Sequence, residues 1–91
     1  MKRAIHRIAE HYGYEAQSGM LVEEMAELIQ ATNKYNRKPS EKNFWGICEE
    51  IADVEIMLSQ IKYLLDINQD SLDEIKATKI ERQIVRIEGN E

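Results

Sequence analysis

Apolar residues recur along the chain at steps of three and four, with polar residues between them. This spacing predicts helices that each bury one face, whereas no run of strict alternation indicates a strand. The 91-residue chain therefore predicts one all-α domain, spanning its whole length. The predicted helices cover approximately residues 2–11, 15–36, 41–65 and 71–87.

Residues that favour turns and helix ends mark the boundaries between these segments. Gly13 is predicted to end the first helix. Pro39 disfavours helix at the residue before it, and Ser40 is a good N-cap for the third helix. Ser71 and Glu74 have the spacing of a capping box, which predicts the start of the fourth helix. The last three residues are predicted to form a frayed tail.

The two long central helices carry apolar seams, and the short connection between them predicts antiparallel packing of these seams. A chain of 91 residues has a modest core, so we expect a bundle of about four helices that is completed by oligomerisation. The predicted seam residues are Leu21, Met25, Leu28, Thr32 and Tyr35 of the second helix, and Ile47, Ile51, Val54, Leu58, Ile61 and Leu65 of the third.

An acidic pair lies beside each seam, and the two pairs are 26 residues apart: Glu24 with Glu27, and Glu50 with Asp53. Residues three apart share a helix face, so an antiparallel hairpin is predicted to gather four carboxylates. No Lys or Arg lies between Met20 and Ala31 or between Asn43 and Gln60, whereas a solvated helix surface commonly carries both signs. The pattern therefore favours a divalent-metal site over plain surface, and oxygen ligands alone suit Mg²⁺ or Mn²⁺.

Other residue types narrow the chemistry further. A di-iron helical bundle uses Glu-x-x-His pairs, and His6 and His11 lie outside both acidic pairs. Cys48 is the only cysteine, which excludes an intramolecular disulfide. The net charge of −5 disfavours a nucleic-acid partner. No segment has the approximately 20 apolar residues that a membrane span requires, and the opening residues lack the apolar run of a signal peptide, so we expect a cytoplasmic protein.

The two acidic pairs in their apolar surroundings carry a family resemblance. Glu24-x-x-Glu27, a gap of 22 residues and then Glu50-x-x-Asp53 resemble the signature of the MazG-like all-α nucleoside triphosphate pyrophosphohydrolases. The resemblance extends over approximately residues 17–86, because a basic helix follows the second pair.

The resemblance implies both a reaction and roles for the acidic residues. Such enzymes are helical bundles that assemble as dimers or tetramers, so the resemblance implies a homodimer or a homotetramer. They cleave a (deoxy)nucleoside triphosphate between the α and β phosphates, releasing monophosphate and pyrophosphate. On this chain, Glu24, Glu27, Glu50 and Asp53 would bind Mg²⁺, with one of the four free to orient or deprotonate the attacking water. The residues do not indicate which carboxylate is that base.

A triphosphate also needs cations, and two basic groups are candidates. Lys79, Arg82 and Arg86 lie at i, i+3 and i+7, on one face of the fourth predicted helix. The resemblance favours phosphate contact for them, although a solvated basic stripe near a helix C-terminus has the same spacing. Lys34, with neighbouring Arg37 and Lys38, is the second candidate group.

Three further interpretations remain open from the sequence. Phe44, Trp45, Tyr12 and Tyr14 are interpreted as core residues, with base stacking as the alternative. A phosphoribosyl-ATP pyrophosphohydrolase ranks second, because the histidine expected soon after the second acidic pair is missing. A non-catalytic helical interaction module, whose acids bind a basic partner, is the alternative from a different functional class.

Overall fold

The computed structural model describes residues 1–89, and within this range the chain forms three helices and no strand. The helices are α1 (Lys2–Arg37), α2 (Glu41–Leu64) and α3 (Gln69–Gly89). The predicted all-α fold is therefore confirmed. Asn90 and Glu91, which belong to the predicted tail, lie outside the described residues. Within residues 1–89, none of the helices is long and apolar enough to cross a membrane.

The first helix combines two segments that the sequence predicts as separate helices. Gly13 lies inside α1, and its backbone angles (φ 87°, ψ 168°) are non-helical. Glycine adopts a positive φ at little cost because it has no Cβ atom. Gly13 therefore divides α1 into two helical segments at the predicted boundary. The two segments follow each other directly as one kinked helix, so residues 1–89 contain three helices in place of the predicted four.

Side-chain caps start the second and third helices. The Ser40 hydroxyl accepts a hydrogen bond from the Asn43 amide at 3.1 Å, which confirms the predicted N-cap of α2. At α3 the predicted start is two residues late. The Asn68 side-chain oxygen accepts a hydrogen bond from the Ser71 amide at 3.1 Å, so the helix begins at Gln69. Asparagine caps a helix as well as serine does, and Asn68 precedes Ser71 in the chain.

The end of α2 contains a residue in the left-handed region. Asp66 has φ 54°, and its amide donates to the Tyr63 carbonyl at 3.2 Å. The Ile67 amide donates to the Lys62 carbonyl at 2.9 Å. These two hydrogen bonds form a Schellman motif, in which glycine is the usual residue at the left-handed position.

Replacing Asp66 by glycine is therefore expected to stabilise the fold. The left-handed conformation costs an L-residue about 1 kcal/mol, less for Asp than for most residues, and glycine avoids that cost. The greater freedom of glycine in the unfolded chain offsets part of this gain. We therefore expect Asp66→Gly to raise the free energy of unfolding by about 0.3 kcal/mol, measured by thermal and urea unfolding. Asp66→Ala is the matched control: alanine is less tolerant of positive φ than Asp, so a stabilised alanine variant would contradict this explanation.

The first two helices pack against each other as an antiparallel hairpin. Ala9, Val54 and Met57 are buried between them, together with Gln17 and Gln60, which are only 5% and 2% exposed. The Gln17 amide nitrogen donates to the Gln60 side-chain oxygen at 2.8 Å, so these buried polar groups bond to each other. Such a pair penalises any shift in the register of the two helices, because a shift leaves both amides unpaired.

The buried stripe of the hairpin differs from the predicted seam. Met25 and Ile51 are 47% and 42% exposed, and Thr32, Leu58 and Leu65 are exposed as well. Within residues 1–89, α1 and α2 each pack against no helix but the other, so only a narrow stripe of each is covered. The covered stripes contain residues that are buried or half-buried: Gln17, Leu21, Glu24, Leu28, Ala31 and Tyr35 of α1, and Asn43, Ile47, Glu50, Val54, Met57, Ile61 and Leu64 of α2.

The remaining predicted seam residues form an exposed apolar side of the hairpin. A groove on this side is lined by Met25, Leu28, Ile29 and Thr32 of α1 together with Val54 of α2. Helical rotation of about 100° per residue places Ile51 and Leu58 next to Val54 on the same side. We call this surface, formed by Met25, Ile29, Thr32, Ile51 and Leu58, the apolar side.

The third helix packs on neither α1 nor α2 within residues 1–89, and none of its residues is buried. The radius of gyration is 16.5 Å, whereas a compact chain of this length has about 12 Å. The accessible surface is 7391 Å², whereas a compact monomer of this mass exposes about 5,500 Å². The chain by itself thus exposes about 1,900 Å² more than a compact monomer does.

Candidate metal centre

The acidic residues lie in the middle of the hairpin, where α1 and α2 face each other. Glu24 and Glu50 belong to the covered stripes and are half-buried, whereas Glu27 and Asp53 are exposed at one edge. The sequence predicts all four carboxylates beside the seam. The structure instead places Glu24 and Glu50 within the contact between the helices, because the covered stripe is rotated relative to the apolar residues.

Three of the four predicted ligands form one tight group. Glu24, Glu27 and Glu50 each offer a carboxylate oxygen, and these three oxygens all lie within 4.8 Å of one another. Oxygens that share one ion at 2.0–2.6 Å are separated by at most about 4–5 Å. Asp53 is not part of this tightest group, although its charge acts on both Glu24 and Glu50.

Two oxygens in this group have no hydrogen-bond partner. Oε1 of Glu24 and Oε1 of Glu50 are buried, and no group within residues 1–89 donates a hydrogen bond to either atom. A buried carboxylate oxygen without a donor or a cation is costly, and native structures seldom leave one unpaired. Because Glu24 and Glu50 come from different helices, this cost falls on the helix contact itself.

The pKa values of the two half-buried carboxyl groups reflect the same crowding. Burial and then the negative charges of Asp53, Glu27 and Glu50 raise the pKa of Glu24 above its ordinary value. Burial and then the charges of Glu27, Asp53 and Glu49 raise the pKa of Glu50. A cation between the carboxylates would oppose both causes, since it favours the ionised form.

These observations fit a hard divalent cation. The donors are all carboxylate oxygens, which suit Mg²⁺ or Mn²⁺ better than a soft metal. The unpartnered oxygens of Glu24 and Glu50 supply two free ligand positions, one from each helix. Glu27 offers a third oxygen from the exposed edge of the hairpin.

The histidines lie elsewhere in the structure. The rings of His6 and Tyr63 stack with centroids 3.8 Å apart, and His11 contacts Tyr12 edge-on at 4.7 Å. The Tyr63 hydroxyl donates to the Glu10 carboxylate, which raises the pKa of Tyr63. Neither histidine belongs to the carboxylate group, in agreement with the prediction from the sequence.

A polar groove opens beside the carboxylates, on the side of the hairpin opposite the apolar side. It has a volume of about 580 Å³ and lies between the second half of α1 and the first half of α2. Glu27 and Lys34 are two turns apart on one wall, and Lys42 and Glu49 are two turns apart on the other. The lining of this polar groove includes Glu27, Lys34, Lys42, Trp45, Gly46, Glu49 and Glu50.

The antiparallel packing separates the charges within the polar groove. Lys34 follows Glu27 by seven residues in α1, and Lys42 precedes Glu49 by seven in α2. At 1.5 Å per residue each separation is about 10 Å along the helix. One end of the polar groove is therefore acidic, and the other end carries two lysines.

Lys34 is thus the only one of the four predicted phosphate contacts that lines a cavity with the acidic residues. Lys79, Arg82 and Arg86 lie on α3, which packs on neither helix of the hairpin within residues 1–89. Arg82 and Arg86 line only a shallow surface formed by α3 itself. In one chain the structure does not bring these three cations to the carboxylates.

Two groove residues are absent from the site predicted by the sequence. Lys42 has the same seven-residue spacing to Glu49 that Lys34 has to Glu27, and this spacing is a signal that sequence reasoning can use. The sequence favours a core position for Trp45, but the side chain is 57% exposed. Tyr12, Tyr14 and Phe44 are also exposed, so the core interpretation of these aromatics is wrong for the single chain.

No family model, curated protein or solved structure matches this chain.

Proposed function

We propose that this protein is a Mg²⁺-dependent nucleotide pyrophosphohydrolase that converts a (deoxy)nucleoside triphosphate to its monophosphate and pyrophosphate. The observation that carries the proposal is the group of three carboxylates with two buried, unpartnered oxygens. It lies at the end of a groove whose other end carries Lys34 and Lys42. The resemblance of Glu24-x-x-Glu27 and Glu50-x-x-Asp53 to the MazG-like signature supplies the bond that is cut.

The proposed reaction assigns separate tasks to the charged side chains. Glu24, Glu27 and Glu50 would hold Mg²⁺, which when bound neutralises phosphate charge and stabilises the charge that develops on the leaving group. Asp53, exposed beside the tight group, orients the attacking water and accepts its proton. Water adds to the α phosphorus, the bond from that phosphorus to the α–β bridging oxygen breaks, and pyrophosphate leaves.

Lysines at the far end of the polar groove complete the charge balance. A triphosphate carries about four negative charges, which one divalent ion does not neutralise. Lys34 and Lys42 line the same groove about two helical turns from the carboxylates. Their long, flexible side chains allow the ammonium groups to reach phosphates bound at the acidic end. Their flexible ammonium groups suit contacts with phosphates whose position changes during the reaction.

We further propose that the enzyme is an oligomer in which α3 of one chain reaches the site of another. The surplus of exposed surface and the apolar side support association, since a standard interface buries about 800 Å² on each partner. Lys79, Arg82 and Arg86 meet no carboxylate of the hairpin in their own chain, whereas the acidic hairpin of a second chain is complementary in charge. A homodimer or homotetramer would cover the apolar side and would also bring α3 of one chain to the carboxylates of another.

A substrate panel tests the proposed reaction. The protein is incubated with Mg²⁺ and each ribo- and deoxynucleoside triphosphate, and the products are separated by ion-exchange chromatography. We expect equal amounts of monophosphate and pyrophosphate, lost when the divalent cation is chelated. Release of orthophosphate would contradict the proposed bond cleavage, and no hydrolysis of any nucleotide would favour a non-catalytic interaction module.

A further inference from the structure

The polar groove contains one large aromatic side chain that the proposed reaction does not use. Trp45 is 57% exposed, and it lines the polar groove together with Glu27 and Glu50. Glu49 follows Trp45 by four residues, so the two side chains are neighbours on the surface of α2. The indole therefore lies within one helical turn of the acidic end.

The exposure of Trp45 is not explained by the surface that supports association. Ile51 and Leu58 face the apolar side, whereas the helical rotation from Glu50 places Trp45 on the opposite flank of α2. Its neighbours in the polar groove are charged, polar or small. Cavities that bind small molecules combine aromatic side chains with a few polar groups, and Trp45 gives the polar groove this combination.

The indole is also held in place and has free space beside it. Phe44 contacts it in a T-shaped arrangement, with ring centroids 5.3 Å apart and planes at 79°. Gly46, the next residue along the polar groove, has no side chain, and a Cβ atom there would meet nothing within 4 Å. A planar group can therefore approach the indole from the polar groove without displacing another side chain.

We infer that Trp45 is the stacking surface for the nucleobase, and that the polar groove takes a base-bearing nucleotide in preference to a bare polyphosphate. This inference rests on the proposed function, because that function places the phosphates at the carboxylates. Aromatic side chains bind any of the bases by stacking, since every base has a π face. Trp45 thus contributes affinity for the base, and the charged residues contribute affinity for the phosphates.

The fluorescence of Trp45 gives a direct test, because it is the only tryptophan in the chain. The intact protein is titrated in Mg²⁺ with an α,β-methylene nucleoside triphosphate and, separately, with tripolyphosphate. We expect the nucleotide analogue to quench or shift the fluorescence. Tripolyphosphate is expected to compete with the analogue while leaving the indole emission almost unchanged. An analogue that binds without changing the emission would overturn the inference.

Substitution supplies a second measurement. Trp45→Ala is expected to raise KM by about 5- to 100-fold, the scale of one lost stacking contact, with kcat changed less than about 3-fold. Trp45→Phe is expected to retain most of the affinity, and it keeps the test valid if the alanine variant unfolds. Tyr14→Ala is the matched control, since Tyr14 is aromatic and 47% exposed but does not line the polar groove.

The outcomes separate this inference from the proposed function. Hydrolysis with an unchanged KM in Trp45→Ala would overturn the role of Trp45 and leave the reaction standing. A nucleotide-dependent change in Trp45 emission without hydrolysis of any triphosphate would overturn the proposed reaction and support the base-binding role.

Discussion

Glu50→Gln is expected to abolish hydrolysis and, in the absence of divalent cations, to raise the melting temperature of the protein. The substitution keeps the shape of the side chain but removes one of the charges that converge at the hairpin contact. Loss of a direct metal ligand should lower kcat/KM by at least about 100-fold, since even indirect partners of a ligand cost 10–100-fold. The same substitution is expected to increase stability although it removes activity, because Oε1 of Glu50 is buried without a partner.

The pH dependence of stability provides a sharper form of this prediction. Burial and neighbouring acids raise the pKa of Glu24 and of Glu50 above the ordinary value of 4.5. The folded protein therefore binds protons more tightly than the unfolded chain does. The stability contributed by the protonated groups is fully present below pH 4.5 and is lost as the pH rises through the folded pKa.

Thermal unfolding in EDTA between pH 4 and pH 8 measures this loss. We expect the wild-type melting temperature to fall with rising pH over this window, with a smaller fall in Glu50→Gln. Saturating Mg²⁺ should raise the wild-type melting temperature at neutral pH and should have little effect on the variant. Glu55→Gln is the matched control, because it removes the same charge from an exposed position of α2. Equal pH profiles in the two variants would contradict a special role for Glu50.

Two inactive variants are expected to restore each other's activity when mixed. The first is Glu50→Gln, which damages the hairpin, and the second is Arg82→Ala with Arg86→Ala, which damages α3. If α3 acts on the hairpin of another chain, a mixed dimer contains one intact site and one doubly damaged site. Random exchange of chains in an equal mixture of dimers therefore restores about one quarter of wild-type activity.

A second mixture controls for non-specific effects. Glu24→Gln and Glu50→Gln both damage the hairpin, and each site takes both acids from one chain, so their mixture should stay inactive. Light scattering after size-exclusion chromatography measures the assembly, with at least twice the chain mass of 10.6 kDa expected. A monomer that is fully active, or no recovery in the first mixture despite exchange, would exclude the shared site.

The helices and the acidic group follow from local rules. Steps of three and four define the long helices, Ser40 caps α2, and the register of Glu24 with Glu50 brings two acidic pairs to one contact. These features depend on residues that are close in sequence or related by a short hairpin. The effect of Gly13 is less readable, because a glycine that kinks a helix and one that ends it have the same local pattern.

The packing of the helices against one another is harder to predict from the pattern of apolar residues than the helices themselves. The apolar stripes of α1 and α2 are broader than one partner can cover, so the sequence does not show which part faces the other helix. In this chain Glu24 takes a covered position while Met25 faces outward. The position of α3 is still harder to predict from the sequence, since its basic and apolar residues suit a partner helix in the same chain or in another.

Because Glu24 and Glu50 have unpaired oxygens, the side chains that would stabilise the hairpin at these two positions differ from those that the proposed ion site needs. Neutral residues there would relieve repulsion in the hairpin and stabilise it, but they would remove the proposed ion site. A library of variants selected for heat resistance alone should therefore accumulate neutral side chains at both positions. Selection for turnover should restore the acids, even in a background where every other position has been optimised for stability.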